Sequence, residues 1–198
     1  GRPANILLMN RGGKFEWVKI SDELKQYRGS YQSSWVDYDS DGDPDLYICN
    51  DFAPDVFLRN DTVRGSFKPE FVDVTPDIIP TMDMGFGMGC SWGDFNNDGD
   101  LDLYVSNMYS KAGNRIVDQV EGSDPRLKVS AHGNFLFENE GGKFRQIAGP
   151  DEGQQHVARV GWSFGGQFAD FDNDGELDLY VPSGCYSAPA EVKTKIDL

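Results

Sequence analysis

Long hydrophobic runs are missing from this chain of 198 residues. The apolar stretches are short, such as ILLM at 6–9, whereas a membrane helix needs about 18 residues, so no membrane insertion is expected. Positive charge is scarce: 18 Lys and Arg stand against 33 Asp and Glu, a formal charge of -15. A phosphate backbone or an anionic membrane surface would be repelled, which removes nucleic acid from the expected partners. The two histidines, His132 and His156, are too few to build a histidine-based catalytic site. Cys49, Cys90 and Cys185 lie far apart with no Cys-x-x-Cys spacing, which argues against a zinc site or a thioredoxin-type redox pair. One oxidised pair with a free thiol, and three separate apolar packers, both remain compatible with that spacing. The opening GRPANILLMN lacks the basic start and long apolar stretch of a secretion signal, so expectations about location come from elsewhere in the chain.

What is present is repetition. With 38% apolar residues the chain can bury a core, and one eleven-residue string recurs three times: DYDSDGDPDLY at 37–47, DFNNDGDLDLY at 94–104 and DFDNDGELDLY at 170–180. Self-similarity of this kind marks a repeat architecture. A second element alternates with the first. NILLMNRGGKF at 5–15 and NFLFENEGGKF at 134–144 match position for position, and DVFLRNDTVRGSF at 55–67 is a looser copy, two residues longer. Asn-x-Gly-Gly between apolar runs predicts a β-hairpin. The segments flanking the acidic strings, SSWV and LYIC, GCSW and LYVS, GQFA and LYVP, are rich in aromatic and β-branched residues and are predicted as strands. No sustained 3.6-residue apolar period runs between them, and 23 glycines with 10 prolines punctuate the chain against long helices.

The expected class is therefore all-β, with a unit of strand, acidic loop, strand, connection, strand, Gly-rich turn, strand: the four-stranded blade of a β-propeller. Residues 1–198 hold about three such units, roughly 1–54, 55–132 and 133–198. Propellers close with ~4 to 8 blades, so the chain is expected to be part of a larger ring, about seven-bladed, or to take its remaining blades from another chain, the alternative being a compact open arc. The interval from loop start to hairpin Asn is 23 residues from Asp37 to Asn60 and 45 from Asp94 to Asn139. An insertion at about 107–132 is the result. It carries Lys111, Arg115, Arg126 and Lys128 against Asp118, Glu121 and Asp124, with Tyr109 alongside, and long loops on rigid scaffolds are where recognition groups sit or where the chain is merely solvated.

Carboxylates at positions 1, 3 and 5 of a tight loop converge on one point. A glycine at position 6 lets the chain turn back, so that the position 7 carbonyl and the position 9 carboxylate face inward too. Hard oxygen donors at that density suit Ca²⁺ better than Mg²⁺, which keeps its waters. The predicted side-chain ligands are Asp37, Asp39, Asp41 and Asp45 in the first loop, Asp94, Asn96, Asp98 and Asp102 in the second, and Asp170, Asp172, Asp174 and Asp178 in the third. The position 7 carbonyls belong to Asp43, Asp100 and Glu176, whose side chains are expected to face water. Four unneutralised carboxylates in one turn repel by several kcal/mol, as ~332/(εr) with ε about 20 indicates, and no basic residue lies inside any loop. About three calcium ions are thus expected. An EF-hand or dockerin loop would need Glu at position 12, where Ile48, Val105 and Val181 stand.

These alternating loops and hairpins resemble the FG-GAP or VCBS repeats of integrin α-subunit propellers and of many bacterial secreted proteins, closest to the bacterial relatives of cartilage acidic protein, over nearly the whole chain. The resemblance implies a calcium-bearing β-propeller whose loops are chiefly structural. The Phe-Gly signature survives in part, as Phe86-Gly87 and Phe164-Gly165, so integrin-like ligand binding is not carried over. Outside the loops there is no nucleophile elbow, phosphate loop or paired catalytic carboxylates. The leading expectation is an extracellular, cell-surface or periplasmic module for protein or glycan recognition, adhesion or assembly. The alternative is the propeller part of a secreted enzyme, such as a polysaccharide lyase or hydrolase, with its active site elsewhere.

Overall fold

The computed structural model describes residues 4–20, 22–25, 28–66, 68–81, 84–109, 133–149, 153 and 155–184. The predicted insertion lies outside the described residues from position 110 to 132, as does Cys185. Among the described residues the fold is all-β, built of several antiparallel sheets with three single-turn helices.

A hairpin of β1 (Leu7–Arg11) and β2 (Lys14–Val18) comes first, followed by α1 (Asp22–Lys25). The first full sheet has the order β3 (Gly29–Val36), β4 (Asp45–Pro54), β5 (Val56–Asn60) and β6 (Phe71–Asp73); β7 (Met84–Phe86) pairs with the far end of β4, after α2 (Thr75–Ile78). The second runs β8 (Gly89–Gly93), β9 (Asp102–Ser106), β10 (Phe135–Asn139) and β11 (Phe144–Ala148). After α3 (Gln155–Ala158), β12 (Gln167–Ala169) and β13 (Asp178–Tyr180) form a two-stranded sheet. Each acidic string joins the first two strands of a sheet, which pair antiparallel up to the loop: Val36 opposite Asp45, Gly93 opposite Asp102, Ala169 opposite Asp178.

The hairpin repeat holds, with one correction in alignment. Asn10 pairs with Phe15, Asn139 with Phe144, and Asn60 with Phe71. The aromatic opposite Asn60 is therefore Phe71; Phe67 lies outside the described residues. The connection 61–70 is tied by its own backbone bonds, Asp61 N to Glu70 O and Ser66 N to Val63 O, and so tolerates its greater length. In the two short hairpins the turn glycines take positive φ, 61° and 90° at Gly12 and Gly13, 62° and 85° at Gly141 and Gly142, and the hairpin Asn accepts the N–H three residues on.

Alternation along each strand sorts side chains to two faces, and both faces of the full sheets are covered. Tyr47, Cys49 and Phe57 of the first sheet meet Leu103, Val105, Phe137 and Phe144 of the second. On the other face of the first sheet, Leu46, Ile48, Val56 and Leu58 meet Leu7 of the leading hairpin. The far face of the second sheet, Tyr104, Leu136 and Ala148, meets Phe168, Leu179 and Val181. Repeat-equivalent aromatics bridge the sheets: Trp92 lies edge-on to Tyr47 at 5.9 Å, and Phe168 edge-on to Tyr104 at 6.4 Å. Full burial of each Phe or Leu contributes about 1.5–3 kcal/mol, so face-to-face stacking of the sheets is the main source of order. Cys49 and Cys90 are buried free thiols in the same core; a hydrogen bond with Cys90 and burial hold the Cys49 thiol well above its ordinary value.

At the sheet ends remote from the acidic loops, a second polar arrangement repeats. Asp55 accepts from the Tyr47 hydroxyl at 2.8 Å and from Asn50 N at 2.7 Å. In the next sheet Asn134 accepts from Asn107 N and donates to the Tyr104 hydroxyl, both at 2.6 Å. Each ties the end of the second strand to the start of the third, satisfying groups that would otherwise be buried without partners. Burial pushes the Asp55 carboxyl up to about 7, against the lowering effect of those two donors and of Arg28.

Candidate metal centre

The three acidic turns fold alike because their local chemistry is alike. The position 1 carboxylate accepts two consecutive backbone N–H groups: Asp37 from Asp41 and Gly42 at 3.1 and 3.0 Å, Asp94 from Asp98 and Gly99 at 3.0 and 2.9 Å, Asp170 from Asp174 and Gly175 at 3.0 Å each. The position 5 carboxylate caps the N–H of position 7, at 2.9, 2.9 and 2.8 Å. Two left-handed residues close the turn. Position 4 has φ of 59°, 59° and 63° at Ser40, Asn97 and Asn173, and position 6 has 92°, 98° and 91° at Gly42, Gly99 and Gly175. At φ near +90° a side chain is strained whatever room it has.

Position 9 anchors the turn to the sheet. Asp45 is fully buried and receives Tyr38 N at 3.4 Å and Asn60 N at 2.8 Å. Asp102, also fully buried, receives Phe95 N at 3.1 Å and Asn139 N at 2.8 Å. The hairpin Asn answers with its amide, donated to the position 8 carbonyl, Asn60 to Pro44 O at 3.0 Å and Asn139 to Leu101 O at 3.2 Å. Burial pushes the carboxyls of Asp45 and Asp102 up to about 6 despite these backbone donors. The same cause raises Asp39, with Asp41 adding to it, and lifts Tyr38 to about 12. Asp178 receives Phe171 N at 3.3 Å, and among the described residues no hairpin supplies a second donor.

Carboxylate oxygens converge within 4.8 Å of one another in two of the turns: Asp37, Asp39 and Asp45 in the first, and Asp170, Asp172 and Asp174 in the third. Asp41 and Asp178 belong to the same turns and accept hydrogen bonds from Asp43 N and Phe171 N respectively. The second turn has no such group of three among the described residues. There Asn96 donates its amide to Asp98 at 2.8 Å and to Glu138 of the following hairpin at 3.0 Å. Oxygen-only donor sets with no internal cation fit a hard divalent ion: Asp37, Asp39 and Asp45, of which Asp45 is buried, could hold one, and Asp170, Asp172 and Asp174, all exposed, another.

One expectation is revised. The Asp100 side chain does not simply face water: it accepts Gly141 N at 2.9 Å, locking the second turn to the β10–β11 turn. The roles of Asn60 and Asn139 as partners of the position 9 carboxylate were also not read from sequence. Their regular placement in the hairpin repeat was the available signal.

This geometry of repeated acidic turns between paired strands has a counterpart among known families. Residues 37–105 match the FG-GAP-like repeat. The FG-GAP-like segment begins on the first carboxylate of the first turn and ends on Val105 in β9, so it takes in two of the three turns and β4 to β8, but not β3 of the first full sheet. The third copy of the turn, at 170–180, repeats the same hydrogen bonds outside the matched segment. No curated protein matches the chain. Among the described residues no helix is long and apolar enough to cross a membrane.

Proposed function

We propose that the chain is a calcium-binding β-propeller module that works in an extracellular, cell-surface or periplasmic setting as a recognition or assembly surface. The carrying observation is the three acidic turns of the same hydrogen-bonded form, two of which gather three carboxylates each with no basic side chain among them. Mutual repulsion of such carboxylates is relieved by a bound cation, and weak sites of this charge are filled where calcium is abundant, as it is outside cells. The ions act structurally here. Each turn joins the first two strands of a sheet, and through Asp45 and Asp102 it also grips the third. Face-to-face stacking of the sheets supports the blade reading, and the FG-GAP-like match supports the propeller. A rigid ring of this kind offers its connecting loops to a protein or glycan partner.

The test is thermal melting in millimolar calcium and in excess EDTA. Binding to the native state alone contributes about 2.7 kcal/mol per site at a hundredfold excess over Kd, so the expected result is a clear upward shift of Tm with calcium. Identical melting curves would refute the metal assignment.

A further inference from the structure

We propose that Cys49 and Cys90 form a disulfide that joins and stabilises the two full sheets when the chain folds in the presence of a disulfide oxidant. Of the two states compatible with the cysteine spacing, this is one oxidised pair, with Cys185 as the remaining thiol. The inference stands on the packing of the sheets and not on the calcium.

The two residues meet because the strands that carry them are in step. Cys49 of β4 lies directly opposite Gln32 of β3, and residues opposed across two paired strands point to the same face of the sheet. From that face the Gln32 side chain reaches out to accept Cys90 N of β8 at 2.7 Å, so Cys49 points at the same stretch of the second sheet. Tyr47, two residues before Cys49, lies edge-on at 5.9 Å to Trp92, two residues after Cys90. Tyr47 with Trp92 and Cys49 with Cys90 are thus successive contacts between strands that run in opposite directions. Both thiols lie in the core between the sheets, 0% and 3% exposed, and are hydrogen-bonded to one another.

The next interface shows that the pair is not a general feature of the repeat. There Tyr104 meets Phe168 at 6.4 Å as Tyr47 meets Trp92, and Ser106 and Gly166 hold the places of Cys49 and Cys90. Ser106 Oγ is buried without a partner, and a Cβ on Gly166 would lie 2.6 Å from the Tyr104 ring. Thiols therefore occur together at one interface and are replaced together at the next. A buried thiol packs as a small apolar group, which accounts for either cysteine by itself but gives no reason for two at facing positions in contact.

The oxidant is a disulfide, either a small one such as glutathione disulfide or that of a protein thiol oxidoreductase, and such oxidants belong to the extracellular or periplasmic setting proposed above. One thiolate of the pair attacks a sulfur of the oxidant and expels the other sulfur; the second thiolate then attacks the mixed disulfide. Two S–H bonds and the oxidant's S–S bond break, and the Cys49–Cys90 bond forms. Two electrons pass to the oxidant, whose two sulfurs take up the two protons. The hydrogen bond with Cys90, burial and the nearby Asp55 carboxylate oppose ionisation of Cys49 in the finished fold, so exchange takes place while the sheets are closing, and the same burial then shields the bond from reductants. The bond closes β5, β6, α2 and β7 into one loop, which restricts the unfolded chain.

The test is refolding of the 198-residue chain from urea in a glutathione redox buffer, followed by alkylation in denaturant and peptide mapping without reduction. The expected result is a linked Cys49–Cys90 peptide pair, with Cys185 alkylated. In EDTA the oxidised chain should melt about 5–15 °C above the same chain held reduced; melting in calcium on the same samples reports the metal reading separately. Cys49→Ala and Cys90→Ala should each abolish that difference, whereas Cys185→Ala should keep both the link and the difference. Alkylation of both Cys49 and Cys90 after refolding, a link that includes Cys185, or equal melting of the oxidised and reduced chains would each overturn the proposal.

Discussion

The second and third acidic turns have nearly the same sequence, the same left-handed residues and the same internal hydrogen bonds, yet they sit in different surroundings. Asp102 is fully buried under β10, whereas Asp178 is exposed at the edge of a two-stranded sheet. Tyr104 and Tyr180 differ in the same way. Eleven residues are thus enough to make the turn and not enough to bury it. Burial comes from the hairpin that joins the sheet and from the next sheet in the stack.

The largest expected effect breaks this comparison directly. Asp102→Ala leaves Phe95 N and Asn139 N without their acceptor in a buried site, which should cost about 2–4 kcal/mol, while Asp178→Ala should change stability by about 0.5 kcal/mol or less. Urea unfolding of both in EDTA measures the difference, and equal losses would show that the hairpin donor does not matter. Next comes the pair at the opposite sheet ends, where Asp55 stands in the first sheet and Asn134 in the second. Burial holds the folded Asp55 pKa above its unfolded value, up to about 7, with Tyr47 and Arg28 facing it. The stability it contributes is full below about pH 4 and is lost as pH rises through about 7. Asp55→Asn copies the Asn134 arrangement, so its stability relative to wild type should rise by about 2 kcal/mol between pH 5 and pH 8. Parallel pH curves for the two proteins would count against a strained carboxyl. The smallest effect concerns the second turn against the first. Asn96→Asp restores the carboxylate and removes the amide bonds to Asp98 and Glu138; calcium titration should show that site binding several-fold more tightly, at a cost of about 0.5 kcal/mol in EDTA. Unchanged affinity would mean that ligand charge does not rank the turns.

Much of the candidate site was legible beforehand because it is local. Alternating carboxylates, a glycine at position 6 and strand-forming flanks are read within eleven residues, and the predicted strands on either side are present as β3–β4, β8–β9 and β12–β13. The Asn-x-Gly-Gly hairpins were equally readable. The pairing of Asn60 with Phe71 was not, because a hairpin with a ten-residue connection has no fixed register in sequence. Nor was the link from Asp100 to Gly141, which joins groups 41 residues apart.

The amino-acid sequence by itself determined the class, the repeat and the shape of each acidic turn, since these follow from φ preferences, two-residue alternation and hydrogen bonds spanning at most a few residues. Which copies of the repeat are buried was decided only by the tertiary structure. A carboxylate such as Asp45 or Asp102 is desolvated by a hairpin 15 or 37 residues further on, and an aromatic such as Tyr47 by a tryptophan in the following sheet. Closely similar strings therefore acquire different energetics according to which neighbours pack against them.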